Sequence, residues 1–210
     1  MKSHRFFHSL VAALALATLY QTPAVAGVSL SLQPVAQTVN LGDQVMVNVV
    51  ISGLDAASQI VSTFDLNVNY NPGILNAIGV SFGALLGDPD LLEADAGKVL
   101  STPGVVDFWE LSYLSDADLA ALQPDSFTLA TLSFQAVGLG TTTLIFDSVT
   151  PPGIYITGAS AGRLALDSVG TGSITVQQAN SIPVPATLWL VLLGLGAFTG
   201  RRIKDSSRPE

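Results

Sequence analysis

Two stretches of the chain alternate apolar and polar residues, and this alternation constrains the fold more than any other feature of the sequence. One stretch covers residues 63–70 and the other covers residues 126–136. A period of two is typical of a β-strand that buries one face and exposes the other. In the first stretch Phe64, Leu66, Val68 and Tyr70 fall on one face, and Asp65, Asn67 and Asn69 fall on the other.

Similar short runs, rich in Val, Ile, Thr and Phe, fill the chain from Gly27 to Asn180 and are separated by Gly, Pro, Asn and Asp. Many short strands with turn residues between them are typical of a β-sandwich or barrel. We therefore predict an all-β body of about nine strands. One helix is expected, because Ser115 and Asp118 form a capping-box-like start for residues 116–122. The other predicted strands are 28–32, 44–51, 75–82, 99–100, 105–113, 141–146, 163–166 and 173–176.

The N-terminus has the three parts of a secretory signal. Lys2 and Arg5 precede an apolar run at residues 10–20, and Ala24 and Ala26 supply small residues at the expected cleavage site. This order predicts a signal peptide over residues 1–26 with cleavage after Ala26. An uncleaved anchor is the alternative.

The C-terminus contains a second apolar segment. Residues 183–200 carry no charge, and Arg201, Arg202 and Lys204 follow them. An apolar run of this length can cross a bilayer as a helix, and basic residues stay on the cytoplasmic side. We predict a membrane segment and basic stop over 183–204, after a linker at 178–182 and before a tail at 205–210. A buried core helix is the alternative, disfavoured by the glycines of the segment.

This C-terminal segment resembles the PEP-CTERM sorting signal, which combines a proline turn, a short Leu- and Gly-rich span and an Arg-Arg stop. The turn here is Pro183, Val184 and Pro185, with Val184 where the commonest form has Glu. The resemblance implies recognition by an exosortase-like enzyme in a bacterium with an exopolysaccharide envelope. Cleavage by that enzyme and simple membrane anchoring both remain open.

Three motifs of the body resemble the cohesin pattern in the same order. They are Leu30…Pro34…Val39…Gly42, the run 64–75 with its Tyr-Asn-Pro turn, and the run 129–142. The resemblance spans residues 27–177 and implies a nine-stranded jelly-roll sandwich related to carbohydrate-binding modules. The first motif implies an opening hairpin. Cohesins bind a dockerin through an exposed sheet face, but no short motif marks that face.

The composition of the body excludes several functions. Between the two termini, Lys98 and Arg163 are the only basic residues against fourteen acidic ones, a net charge of −12. Such a surface repels nucleic acid, whose binding requires Lys and Arg. The chain has no Cys, and both His4 and His8 lie in the predicted signal peptide. Ser-His-Asp catalysis, thiolate chemistry and histidine-ligated metals are therefore excluded.

Carboxylates offer the remaining routes to chemistry. Glu110, beside Trp109 in a predicted strand, is the most enzyme-like of them, but an outward-facing strand residue is the simpler interpretation. The loop that contains Asp88, Asp90, Glu93 and Asp95 could supply oxygen ligands to Ca²⁺. It departs from EF-hand spacing, and a solvated loop is the alternative.

Trp109, alone or with Tyr70, Tyr113 and Tyr155, could form a platform on which sugar rings stack. A core position for Trp109 is the alternative. No catalytic residue and no cofactor is predicted. We therefore expect an exported, non-enzymatic surface or matrix protein that binds or builds structure in an exopolysaccharide or biofilm envelope. A carbohydrate-binding or dockerin-binding module that recruits a partner is the alternative.

Overall fold

Two β-sheets pack face to face in the computed structural model, which describes residues 27–55, 58–149 and 153–179. The one α-helix of these residues, α1, spans Asp116–Leu122, and single 3-10 turns cover Pro89–Leu91 and Ala159–Ala161. The strands are β1 Ser29–Gln33, β2 Ala36–Asn40, β3 Gln44–Ser52, β4 Thr63–Asn69, β5 Leu75–Phe82, β6 Ala94–Val99, β7 Val105–Ser112, β8 Ser126–Ala136, β9 Gly140–Phe146, β10 Tyr155–Thr157, β11 Ser168–Val169 and β12 Gly172–Gln177.

Strands that follow one another in the sequence often lie in different sheets. The first sheet runs β11-β1-β3-β8-β5, and the second runs β2-β12-β9-β4-β7-β6, with β10 added to β4. All pairings are antiparallel except β1 with β11 and β2 with β12, which are parallel. One face of each sheet therefore covers the core, and the other is available at the surface.

Aromatic and branched side chains fill the space between the sheets. Phe64 and Phe108 pack edge to face with ring centroids 6.0 Å apart, and Tyr70 and Phe134 do so at 5.2 Å. Phe64, Phe108 and Phe134 are fully buried. Burying each such side chain contributes about 2–3 kcal/mol. A core of this kind holds the body together without disulfides.

The all-β sandwich predicted from the sequence is confirmed, although the described residues form twelve strands and not about nine. The predicted bounds of β5 and β8 agree with the structure, and Ser115 caps α1 by accepting a hydrogen bond from the Asp118 amide. The predicted strand at 163–166 is wrong, since Arg163 makes only an isolated bridge to Thr157. The strand predicted at 99–100 overlaps β6 only at Val99, since β6 spans Ala94–Val99.

The opening hairpin does not form. β1 pairs with β3 and β11 in the first sheet, whereas β2 pairs with β12 in the second. The chain therefore crosses from one sheet to the other at Gln33 and Pro34, between the two strands. This crossing makes the N-terminal strands part of both sheets.

The predicted signal peptide at 1–26, most of the linker and the predicted membrane segment at 183–204 lie outside the described residues. Within the described ranges, no helix has the length and apolar character needed to span a bilayer.

Candidate functional site

The outer surface of the second sheet carries the most distinctive set of side chains in the described body. Strand register places Gly97, Trp109 and Asp65 side by side across β6, β7 and β4. Asn67 and Asp107 form the next cross-strand pair. We call this surface the Trp109 face; its members are Asp65, Asn67, Asp95, Gly97, Asp107 and Trp109.

Trp109 is placed on this face by its neighbour in β6. A Cβ atom at Gly97 would lie 2.7 Å from the Cε2, Cζ2 and Nε1 atoms of the indole, closer than real contacts allow. The missing side chain at Gly97 therefore lets the ring lie against the backbone of β6. Trp109 is half-buried on the outer surface of the sheet and is not a core residue.

Asp65 and Asp107 place two negative charges beside the tryptophan. Neither side chain forms a hydrogen bond or an ion pair within the described part of the chain. Desolvation raises the pKa of the Asp65 carboxyl above its usual value, and repulsion by Asp107 raises it further. The face therefore carries two neighbouring carboxyl groups, and the Arg163 guanidinium over Tyr155 is the nearest described cation in the same cross-strand row as Asp65.

Asn67 adds an acceptor of a different kind. Strand alternation points it to the same side as Asp65, yet the residue is only 7% exposed. Its Oδ1 atom has no hydrogen-bond partner. A buried polar atom without a partner costs about 1–3 kcal/mol, so most such atoms in proteins are paired.

Of the three tyrosines named as possible parts of a sugar platform, Tyr155 shares the cross-strand row of Trp109 on this face, and Tyr70 does not. Tyr70 lies in the core, where the Ala77 amide donates to its hydroxyl at 3.3 Å. Tyr155 pairs with Asp65 across β10 and β4, but the Arg163 guanidinium lies 5.6 Å from its ring centroid. Tyr113 follows the end of β7 and is 60% exposed. Trp109 therefore stands without a second stacked aromatic residue from this set.

The acidic loop is held by its own hydrogen bonds. Asp88 caps the 3-10 turn by accepting from the Asp90 amide at 2.9 Å, and Glu93 accepts from the Asp88 amide at 3.2 Å. Asp95 belongs to β6 and lies on the Trp109 face. No group of three or more His, Cys, Asp or Glu residues in the described chain is arranged to hold a metal ion. The four predicted calcium ligands are thus not brought together.

Glu110 points inward, and its predicted outward orientation is wrong. The alternation of β7 places it on the same side as the buried Val106 and Phe108. It is 0% exposed, and neither carboxylate oxygen has a hydrogen-bond partner. Burial raises the pKa of the Glu110 carboxyl to about 7. A group enclosed in this way contacts no substrate, so the enzyme-like interpretation of Glu110 finds no geometric support.

The outer surface of the first sheet differs in character. It is dominated by hydroxyl and amide side chains that pair with one another. Thr131 donates to Asn48 Oδ1 at 2.8 Å, and the hydroxyls of Ser29 and Ser52 lie 2.8 Å apart. That surface lacks a tryptophan, which distinguishes it from the Trp109 face.

The sequence analysis singled out Trp109 but none of Asp65, Asn67 and Asp107 as a candidate. The alternation of residues 63–70 already placed Asp65 and Asn67 on one face. The missing information was the register with β7, which brings Asp107 and Trp109 beside them.

A mainly antiparallel β-sandwich, with twelve strands among the described residues and an outer sheet face that carries Trp109, defines the class of β-sandwich binding modules. The family model for the cohesin domain matches residues 29–176, and the chain belongs to the cohesin family. Cohesin domains are non-catalytic protein-binding modules.

Solved cohesin structures share the fold. A type I cohesin of Pseudobacteroides cellulosolvens is 15% identical with a TM-score of 0.57, covering 75% of this chain and 97% of its own. A cohesin of Clostridium acetobutylicum is 23% identical with a TM-score of 0.55, covering 74% of this chain and 93% of its own. A scaffoldin cohesin of Acetivibrio cellulolyticus was solved in complex with a Cel5 dockerin. It is 19% identical with a TM-score of 0.55, covering 72% of this chain and 100% of its own. No curated protein matches the sequence.

Proposed function

We propose that the body is a non-catalytic module that recruits a dockerin-like protein through the Trp109 face. Membership of the cohesin family supports a protein partner, and several of the similar solved structures are complexes of a cohesin with a dockerin. The observation that carries the choice of surface is the half-buried Trp109 beside the carboxyl groups of Asp65 and Asp107. Tryptophan is enriched among the residues that dominate binding energy at protein interfaces.

The first prediction concerns this interface. Trp109→Ala is expected to weaken binding at least about tenfold, because it removes the largest apolar side chain of the face. The full chain and the variant would be titrated by calorimetry against a panel of dockerin modules that includes the Cel5 dockerin. Ser133→Ala, on β8 of the other sheet, is the control and is expected to bind like the wild type.

Thermal unfolding of both variants separates loss of binding from loss of fold. If a dockerin binds and only Ser133→Ala weakens it, the choice of the Trp109 face is wrong. If no dockerin in the panel binds, the proposed class of partner is wrong.

Carbohydrate recruitment is a second candidate function, and the position of Trp109 on the outer surface favours it. The indole lies against Gly97 on one side, and in this candidate a sugar ring stacks on its other side. A glycan array probed with the wild type and with Trp109→Ala distinguishes this candidate. Saturable binding of one glycan that Trp109→Ala abolishes would support it.

We further propose that the chain is exported and held at the cell surface or in an exopolysaccharide matrix. The three-part signal at 1–26 supports export, and the uncharged run at 183–200 with its basic stop supports membrane anchoring. The resemblance of Pro183, Val184 and Pro185 to the PEP-CTERM turn supports sorting by an exosortase-like enzyme. In this setting the body serves binding or structure in the envelope, without catalysis.

The second prediction concerns the termini of the mature protein. Mass spectrometry of the protein from cells is expected to find an N-terminus at Gly27, because small residues at Ala24 and Ala26 precede it. A C-terminus between residues 183 and 187 would support sorting by cleavage. An intact end at Glu210 would contradict cleavage and leave simple anchoring.

A further inference from the structure

We infer that one end of the body contacts the lipid surface of the membrane through the exposed side chains of Leu41, Val137 and Leu139. We call it the exit end, and it is defined by these three residues and by Gln177, the last residue of β12. The inference rests on the proposed membrane anchoring, since a bilayer is its partner. It goes beyond that proposal by assigning a lipid-contacting surface to the β-sandwich itself.

Strand pairing places Gln177 between the two leucines. On one side of β12, the Leu41 amide donates to the Gln177 carbonyl at 2.8 Å. On the other side, Val176 is the partner of Gly140, and the next position in this antiparallel register is Leu139. The chain therefore leaves its last described strand between two turns that each present a leucine.

The three apolar side chains lie in or beside tight turns, where small and polar residues are usual. Each of Leu41, Val137 and Leu139 is between 43% and 55% exposed. The Gly42 amide donates to the Ala136 carbonyl at 3.0 Å, which joins the turn of Leu41 to the turn of Val137 and Leu139. Exposed apolar side chains that gather in one place mark an interaction surface.

The turn that carries Val137 and Leu139 is packed against a neighbouring turn at residues 70–74. The Val137 amide donates to the Ile74 carbonyl at 2.9 Å. A Cβ atom at Gly138 would overlap the carbonyl oxygen of Gly73, so only glycine allows this close approach. The backbone that presents the two apolar side chains is therefore held in place by the body.

The charges of the body lie mostly away from the exit end. Four described turns form this end, at residues 40–43, 70–74, 100–104 and 137–139. Asp43 is the one charged residue in these described turns, and its Oδ2 atom accepts a hydrogen bond from the Asn40 amide at 2.8 Å. Charged side chains are costly at membrane depth, and an end with a single carboxylate can approach lipid.

The opposite end of the sandwich has the contrary character. There β3 ends and β8 begins, and the Leu54 amide donates to the carbonyl of Asp125 at 3.0 Å. The acidic turn at 88–93 and the acidic first turn of α1 lie at the same end. Leu91 and Leu92 are exposed there, but Asp90 and Glu93 flank them. The charge distribution therefore favours the exit end as the one that faces lipid.

The length of the connecting chain supports a bilayer as the partner. The predicted membrane segment begins at Pro183, and residues 178–182 separate it from Gln177. A chain of this length spans at most about 20 Å when fully extended. A bilayer that holds the predicted segment is therefore within reach of the exit end. Apolar side chains bind the boundary between headgroups and acyl chains in proportion to the apolar area that they bury.

The third prediction tests this contact with fluorescent labels. The chain has no cysteine, so one introduced thiol carries the only label. Leu139→Cys at the exit end and Leu92→Cys at the opposite end would each be labelled, and the full chain would be reconstituted in phosphatidylcholine vesicles. A quencher attached to the lipid headgroup is expected to quench the label of Leu139→Cys at least about threefold more than that of Leu92→Cys.

Removal of the neighbouring apolar side chains is the second part of the experiment. Leu41→Ser combined with Val137→Ser is expected to reduce lipid quenching of the Leu139→Cys label at least about twofold, because less apolar area is buried in the interface. Leu91→Ser combined with Leu122→Ser, two exposed leucines of the opposite end, is the matched control and is expected to leave the quenching unchanged. Thermal unfolding of each variant checks that the fold is kept.

The contrary outcomes separate the contact from the anchoring. If the vesicles retain the chain but aqueous iodide quenches the labels of Leu139→Cys and Leu92→Cys equally, the inference is wrong and membrane anchoring stands. Protection of the Leu139→Cys label from both quenchers would overturn the inference in favour of contact between two copies of the chain. Release of the chain by alkaline carbonate would contradict the anchoring, and the inference would fail with it.

Discussion

Glu110→Gln is expected to flatten the pH dependence of stability, because the glutamine resembles the neutral form of the buried carboxyl. Glu110 is enclosed between the sheets, and neither of its oxygens has a hydrogen-bond partner. Burial raises the pKa of the folded-state carboxyl from 4.5 to about 7. A shift of this size corresponds to a difference of about 3 kcal/mol between the two protonation states.

The sign follows from proton binding. Between pH 4.5 and about 7 the folded state binds the proton at Glu110 more tightly than the unfolded state does. The stabilising contribution of the neutral carboxyl is therefore complete below pH 4.5 and is lost as the pH rises through about 7. The wild type is expected to lose about 3 kcal/mol over this range from Glu110 alone.

Urea denaturation at intervals from pH 4 to pH 9, on the wild type and on Glu110→Gln, measures this difference. Glu93→Gln is the matched control, since Glu93 lies in the surface loop and its hydrogen bond from the Asp88 amide survives the change. The control is expected to keep the slope of the wild type. A Glu110→Gln variant with the same slope as the wild type would show that Glu110 does not titrate in this range.

Gln123→Ala is expected to destabilise the protein by about 3 kcal/mol or more, because it leaves three buried backbone groups without partners. Gln123 follows α1 and is 5% exposed. Its Nε2 group donates to the carbonyls of Val61 and Leu85 at 2.8 and 3.0 Å, and the Val61 amide donates to its Oε1 at 2.7 Å. One side chain thus joins the end of the helix to two separate loops.

Chemical denaturation of Gln123→Ala beside Gln37→Ala gives the comparison. Gln37 makes a single exposed hydrogen bond, from its Nε2 to the Met46 carbonyl at 3.1 Å, so its loss is expected to cost less than about 1 kcal/mol. Equal losses in the two variants would mean that the buried groups around Gln123 find other partners, such as water.

Local patterns were sufficient for much of the fold. The bounds of β5 and β8 and the Ser115 cap of α1 depend on interactions within a few residues, which a sequence displays directly. Among the missed strands, which also include β2, β10 and β11 have three and two residues, too few to show a period. They are strands because of their partners in β4 and β1, which are distant in sequence.

The orientation of β7, meaning which of its two faces is buried, was harder to predict from the sequence for a different reason. Its sequence places a charged residue on each face, Asp107 on one and Glu110 on the other. Polarity therefore does not decide which side of β7 is buried, and the packing of Phe108 against Phe64 on the core side does. The Trp109 face was hidden for the same reason, since its members come from strands about 40 residues apart that only the register unites.

The pairing of β2 also affects the timing of folding. Within the described body, the only strand partner of β2 is β12, which lies more than 130 residues further along the chain. During synthesis from the N-terminus, β2 waits unpaired until nearly the whole body has been made. Pairings of such long sequence separation form late and slowly. The last six residues of the body, which form β12, therefore complete the second sheet. A chain that ends before β12 is complete leaves one edge of that sheet open to other chains.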